Sequence, residues 1–260
     1  VTQGEPDQSV ALLAVEGEVA TITLNRPEAF NAINYDMAVR LKTLAAEVDA
    51  QPSVKVVVIR GAGKAFCGGG DIRHFIDHLD DIGTCIRDLL VPYHEFLVRI
   101  HAMPKLVLAS VHGSAAGAGL SLVSMCDFCI VADDAKFVPA YAKIGVSPDG
   151  GGTYGLARAI GQRRALQVQL DGSAFSAGQA EAWGLASKRV PPAELARATA
   201  DYAAQLARTS AEAIANTKRL LRAGERATLE DHLVDEMESL IRCMGKPDFA
   251  SAIGRFVDKG

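Results

Sequence analysis

The placement of glycine constrains this chain more than any other feature. Eleven of its 24 glycines fall in three tight groups: Gly61, Gly63, Gly68, Gly69 and Gly70; then Gly113, Gly117 and Gly119; then Gly150, Gly151 and Gly152. The first two groups directly follow uncharged or nearly uncharged apolar runs of strand length, 54–59 and 106–111. Such runs predict strands buried on both faces. Glycine after a buried strand lets the backbone approach a neighbour closely and turn its N–H groups outward. A chain built this way has to fold as strands that end in close-approach loops, with helices returning between them.

The remaining periodicity fits that frame. Residues 10–15 and 19–24 are apolar runs around Glu16-Gly17-Glu18 and predict a hairpin. A helix is expected after Asn34 with Met37, Leu41, Leu44 and Val48 on one face, and another over about 82–102, ahead of Pro104. Residues 120–125 predict a helix and 128–132 a third buried strand. Strand, glycine loop and helix thus recur, which predicts right-handed crossover βαβ units without a repeat of fixed period. From Gln162 the strand signal nearly vanishes. Helices are expected at 163–170, 177–183, 192–207, 211–223 and 228–245. The reading is a mixed α/β core over 1–190 holding the site, followed by a helical section over 191–260 that packs on the core or on another subunit.

Composition removes several classes of function. A net charge of −4 offers no basic face for nucleic acid or an acidic membrane. Residues 1–9 are polar and acidic, without the basic start and apolar run of a secretion signal. The twenty-one residues from Leu106 to Cys126 carry no Lys, Arg, Asp or Glu, but three Gly, four Ser and His112 suit a buried strand, turn and helix rather than a membrane span. Five cysteines, an odd number, make no disulfide framework and point to a reducing, cytoplasmic setting. Cys126-x-x-Cys129 lacks a second pair or a nearby His and reads as two buried small residues. His74 and His78 stand four apart beside Asp77 with no third ligand at suitable spacing, so they read as a solvated helix face and no metal is expected.

Three chemical uses compete for the glycine loops, beside plain packing turns. Dinucleotide binding needs G-x-G-x-x-G, and both Gly61-Ala-Gly63-Lys-Ala-Phe66 and Gly117-Ala-Gly119-Leu-Ser-Leu122 fail at the last position. A P-loop needs a hydroxyl after Gly-Lys, and Gly63-Lys64 is followed by Ala65. The third use is a pair of backbone donors, one per loop, converging on a carbonyl oxygen.

The ordered phrases Leu24-Asn25-Arg26-Pro27, Asn31-Ala32, Ala65-Phe66-Cys67-Gly68-Gly69-Gly70-Asp71-Ile72, Gly113-Ser-Ala-Ala-Gly117-Ala118-Gly119, Cys126-Asp127, Ala135-Lys136-Phe137, Gly145 and Pro148-Asp149-Gly150-Gly151-Gly152-Thr153 resemble the enoyl-CoA hydratase/isomerase (crotonase) superfamily. The resemblance covers about residues 10–258. It implies a spiral of ββα units with a helical C-terminal section, an acyl-CoA thioester substrate, no cofactor beyond that CoA, and a homotrimer or homohexamer with C-terminal helices at the contacts. It also implies an oxyanion hole from the N–H groups of Gly70 and Ala118. Ala118 opens a helix, so the helix dipole adds to its donor strength. Gly68 and the segment Gly70, Asp71, Ile72 and Arg73 match the stretch that wraps CoA in relatives, and Arg26 and Lys218 are expected at CoA phosphates.

The departures bear on the reaction. Hydratases of this resemblance use two glutamates, whose positions are Ser121 and Tyr141 here. Neither serves as a base near neutral pH, since an unperturbed Tyr titrates near 10. One carboxylate, Asp149, remains in the third glycine loop, where it resembles the base of phenylacetate-pathway and dienoyl-CoA isomerases. Its non-catalytic alternative is an N-cap for the helix toward Ala159. The leading expectation is therefore double-bond isomerisation with Asp149 as proton shuttle. A rival uses His94 with Asp149 for aryl-CoA dehalogenation or thioester hydrolysis, with Tyr141 lining the ring pocket. That rival departs from the dehalogenase pattern, because Tyr93 and Tyr141 stand for tryptophans and Gly70 for a bulky aromatic residue. A dihydroxynaphthoyl-CoA synthase shares Asp-Gly-Gly but would need a carboxylate at Tyr141. Weak hydration and acyl-CoA binding without turnover are the remaining alternatives.

Overall fold

The computed structural model describes residues 9–257, so the reading of a leader-free start lies, except for Ser9, outside the described residues. In chain order the elements begin with β1 (Ala11–Glu16), β2 (Val19–Leu24), α1 (Tyr35–Asp49), β3 (Val56–Gly61), α2 (Ile72–Ile76) and α3 (Ile82–Ala102). There follow β4 (Leu106–Val111), β5 (Ser114–Ala116), α4 (Ala118–Met125), β6 (Phe128–Ala132), β7 (Lys136–Val138), α5 (Tyr154–Ile160) and α6 (Gln162–Asp171). The chain ends with β8 (Phe175–Ser176), α7 (Ala177–Trp183), β9 (Lys188–Val190), α8 (Leu195–Ala207), α9 (Ala211–Ala223), α10 (Leu229–Met244) and α11 (Pro247–Val257).

The large sheet has the order β1-β2-β3-β4-β6-β9 and is parallel throughout except for the β1–β2 hairpin. Val56, Val57, Val58 and Ile59 of β3 and Val107, Leu108, Ala109 and Val111 of β4 are all buried, as continuous apolar strands demand. One face is covered by α8, which packs against β2, β3, β4 and β6. Asn34 starts α1 by accepting the Met37 N–H at 3.0 Å, and Met37, Leu41, Leu44 and Val48 are fully buried. The expected helices at 82–102, 177–183 and 211–223 coincide with α3, α7 and α9. The one expected at 192–207 divides into a 3-10 turn, Pro192–Glu194, and α8.

A second layer makes the spiral. After each long strand the chain steps into a short extended piece that pairs with the corresponding piece of the next turn. Ile33 follows β2 and bridges Gly70; Cys67 follows β3 and bridges Ala115; β5 follows β4 and runs parallel to β7, which follows β6. Strand β8 closes this layer antiparallel to β7. The short pieces position the site, because two of them end at the amides of Gly70 and Ala118.

Two corrections to the sequence reading concern strands. The strand expected at 54–59 lies two residues later, since Lys55 and Val56 first bond back to Glu18 O. Two strands also occur beyond Gln162, β8 and β9, each of two or three residues and each existing through its pairing partner. After Val190 only helices follow, and α8 belongs to the core packing of the sheet. Among the described residues no helix is long and apolar enough to cross a membrane; the uncharged stretch from Leu106 divides into β4, β5 and α4.

Candidate active site

The first half of the site is a pair of backbone amides. The loops after β3 and β4 are laced side by side: Phe66 N–H donates to His112 O at 3.0 Å, Cys67 N–H to Ser114 O at 3.1 Å, and Ala116 N–H to Cys67 O at 2.9 Å. Asn31, fully buried, locks the first loop from beneath by donating to the carbonyls of Ala62 and Ala65 at 2.8 Å each. A side chain on Gly69, whose φ is +101°, would meet Ala116 O at 3.0 Å and Ala118 N at 3.6 Å. Only glycine permits that approach. Beyond it, the N–H groups of Gly70 and Ala118 have no acceptor among the described residues. Ala118 is the first residue of α4, so its amide is one of the helix's unsatisfied donors and carries the positive end of its dipole. Two adjacent unsatisfied donors can hold an oxyanion, and the loss of one such donor typically costs about 3–4 kcal/mol of transition-state stabilisation.

The second half is the loop carrying Asp149. The N-cap of α5 is Thr153, and the Asp149 side chain accepts no helix amide, which removes the capping alternative. Instead Asp149 Oδ1 lies 3.0 Å from His94 Nε2, on α3 and 55 residues away in sequence. A carboxylate accepts, so Nε2–H donates; Asp149 Oδ2 meets no partner among the described residues. The Asp149 side chain is 34% exposed and that of His94 is 49% exposed.

Ser121 and Tyr141 meet at the backbone of the same loop. Ser121 Oγ donates to Asp149 O at 2.7 Å and Tyr141 Oη donates to it at 3.2 Å. Burial pushes the Tyr141 hydroxyl up to about 12, so it stays a donor at neutral pH. Burial likewise raises Tyr93 well above its ordinary value, and its hydroxyl donates to Ala118 O at 3.4 Å. A side chain on Gly150 would meet Tyr93 at 3.1 Å and Ser121 at 3.5 Å. The turn of α4 that opens with the Ala118 amide is therefore tied to the Asp149 loop by hydroxyls and close packing. Where the resemblance places a hydratase's two carboxylates, this chain has two hydroxyls that hold the backbone of a third residue.

Of the residues expected at CoA, Gly68, Ile72 and Arg73 are exposed on the rim beside Gly70. Asp71 N-caps α2 through His74 N–H at 3.4 Å and pairs with Arg26 at 2.9 Å. Arg26 also donates to Ala32 O at 2.6 Å, so the two charges expected to face CoA are used on each other. Lys218 is a clear correction. Its side chain is 5% exposed, and its Nζ donates to Asp127 Oδ2 at 2.7 Å, Lys105 O at 2.7 Å and Ile100 O at 3.2 Å. Burial lowers its pKa against the raising effect of Asp127. An ammonium placed this way cannot reach a phosphate; it clamps α9 to the start of β4. Sequence reasoning missed the joint grip of Ser121 and Tyr141 on Asp149 O and the reach of Tyr93 to α4. The only local signal was that Ser121 and Tyr141 are hydroxyl-bearing residues near glycines; Tyr93, mid-helix, gave none.

Residues 14–260 match the sequence pattern described as Enoyl-CoA hydratase/isomerase. The chain belongs to that family. A 1,2-epoxyphenylacetyl-CoA isomerase of Escherichia coli is 32% identical over 249 residues, covering 94% of each chain. A short-chain-enoyl-CoA hydratase of Clostridium acetobutylicum is 29% identical over 249 residues, covering 95% of this chain and 94% of its own. The structure of an enoyl-CoA hydratase from a Polaromonas species superposes with a TM-score of 0.91 at 29% identity, over 96% of this chain and 97% of the other. Relatives of similar identity thus carry both isomerase and hydratase names. This member is an enzyme-family chain of mixed α/β fold acting on acyl-CoA thioesters.

Proposed function

We propose that this family member is an acyl-CoA double-bond isomerase in which Asp149 carries one proton between two carbons of the acyl group. The observation that carries the reading is that Ser121 and Tyr141 are committed as hydroxyl donors to Asp149 O, leaving Asp149 as the carboxylate of this trio. With the thioester oxygen between the amides of Gly70 and Ala118, Asp149 Oδ2 lifts the proton from the carbon between the thioester and a 3,4 double bond. The electron pair moves onto the thioester oxygen as a dienolate, and the same carboxyl returns the proton to the far carbon. Water takes no part and no cofactor is needed beyond the CoA of the substrate. His94 holds Asp149 Oδ1, which leaves Oδ2 as the oxygen for the proton. One group serves as base and then acid because the dienolate is held while the proton is carried.

The test is a panel of 3-enoyl-, 2-enoyl- and 4-halobenzoyl-CoA thioesters with the parent and Asp149→Asn. Conversion of 3-enoyl to 2-enoyl thioester is expected, falling about 10²–10⁴-fold in the variant; isomerisation at an unchanged rate would overturn the assignment. The His94–Asp149 contact favours one second reading, in which Asp149 attacks a halogenated ring carbon and halide leaves. Halide release dependent on both residues would move the assignment there, and CoA release would move it to thioester hydrolysis. Water addition to the 2-enoyl thioester would mark a weak hydratase. Binding with no turnover on any thioester would mark an acyl-CoA carrier.

A homotrimer or homohexamer accompanies this reading, supported by the uncovered apolar row on α10: Leu229, Leu233, Met237, Leu240, Ile241 and Met244 are 48–75% exposed. Light scattering on the purified chain tests it. The five free cysteines support a reducing, cytoplasmic setting.

A further inference from the structure

Outside the acyl-CoA site, the fold assembles a set of metal-binding side chains that the sequence left incomplete. His74 and His78 were two ligands on one short helical stretch. The structure brings Cys85, in the first turn of α3, beside them, and one ligand atom from each of the three lies within 4.8 Å of the others. We propose that His74, His78 and Cys85 form a binding site for a zinc-class divalent cation, with the fourth position open to water.

The chemistry of the set favours this cation. Two imidazoles and a thiolate are borderline-to-soft ligands that suit zinc and discriminate against magnesium and calcium. The tautomer is already prepared. His78 Nδ1 lies 2.8 Å from His74 O, and a carbonyl can only accept, so Nδ1 carries the proton and Nε2 keeps its lone pair for a metal. The two rings lie close and tilted, 4.4 Å between centroids and 45° between planes. His74 and Cys85 are half-buried, whereas His78 is exposed and gives the ion a way in. A tetrahedral zinc bound by nitrogen and sulfur sets its ligands roughly 3.4–3.6 Å apart. Closing from 4.8 Å needs movement of about 1 Å, within the reach of rotation at three side chains. On binding, the Cys85 thiol loses its proton to solvent and the two histidines stay neutral.

The site would join two elements on either side of the catalytic groups. Helix α2 follows Gly70, and its Phe75 ring would lie 2.9 Å from a side chain at that position; α3 carries Tyr93 and His94. An ion at His74, His78 and Cys85 would therefore tie the wall over the Gly70 amide to the helix that holds Asp149. The proposal stands whether or not Asp149 isomerises a double bond.

The test uses the full, tag-free chain after removal of metal by a chelator. Zinc titrated against a chromophoric competitor is expected to bind once per chain. Affinity should fall at least tenfold in both His78→Gln and Cys85→Ser and remain unchanged in Cys243→Ser. Melting temperatures in chelator confirm that each variant is folded. Cobalt in place of zinc should give a thiolate-to-metal charge-transfer band that Cys85→Ser abolishes. No binding, binding indifferent to His78 and Cys85, or a cobalt spectrum without the thiolate band would overturn the site and leave a solvated helix face.

Discussion

Asp127 and Asp149 are the same side chain in opposite settings. Asp127 is 14% exposed and fully engaged: it accepts from Lys218 and Arg222 and from the Val107 N–H at 2.8 Å. Asp149 is 34% exposed and its carboxylate has, among the described residues, one partner, His94, at one oxygen. Burial with compensating charges makes a carboxylate a structural rivet, whereas a single orienting contact leaves an oxygen able to take a proton. The two differ in the packing of their surroundings, since a glycine-rich turn over α4 holds one by its backbone and two elements, β4 and α9, close over the other.

The contrast can be broken at either end. Asp149→Asn keeps the shape and the backbone carbonyl that Ser121 and Tyr141 grip. It should lower isomerase turnover about 10²–10⁴-fold with the melting temperature unchanged. Asp127→Asn should do the reverse. Leaving the buried Lys218 and the half-buried Arg222 with reduced compensation should cost about 3–5 kcal/mol in denaturant unfolding, with turnover per folded molecule retained. If Asp127→Asn also removes activity in the folded fraction, the two roles are not separate. Tyr141→Phe probes the backbone grip on Asp149. One hydrogen bond to Asp149 O is lost while Ser121 remains, so stability should fall by about 1 kcal/mol and turnover by less than in Asp149→Asn.

The smallest effect concerns pH. His101, in edge contact with Tyr154 at 5.5 Å between centroids, has its pKa lowered by burial and by the nearby Arg222 and Lys218. Protonation is thus easier in the unfolded chain. The stability tied to neutral His101 is complete above about pH 6.5 and is lost as pH falls through the lower folded value. A melting temperature followed between pH 7 and 5 should decline less steeply in His101→Gln; identical slopes would remove His101 as the cause.

Much of this was legible in the sequence because the signals were local. Apolar runs marked β3, β4 and β6, and 3.6-residue periodicity with Asn34 as cap marked α1. The glycines at 69 and 70 and at 117 marked the two loops whose amides now stand side by side. Lys218 was misread because a lysine in an amphipathic helix looks the same whether its ammonium meets solvent or Asp127, 91 residues away. The strands β5, β7, β8 and β9 were invisible because two or three residues have no period of their own. Cys85 went unseen as a ligand because only the turn between α2 and α3 brings it to His74 and His78.

By itself the sequence determined the alternation of buried strands, glycine loops and helices, and the chemical types available at each loop, because apolar periodicity and glycine's freedom act over a few residues. Tertiary structure alone decided which carboxylate is locked and which keeps an oxygen open, which amides lack an acceptor among the described residues, and which histidines meet a thiol. Those properties depend on burial and on partners tens of residues away, and no local pattern encodes them.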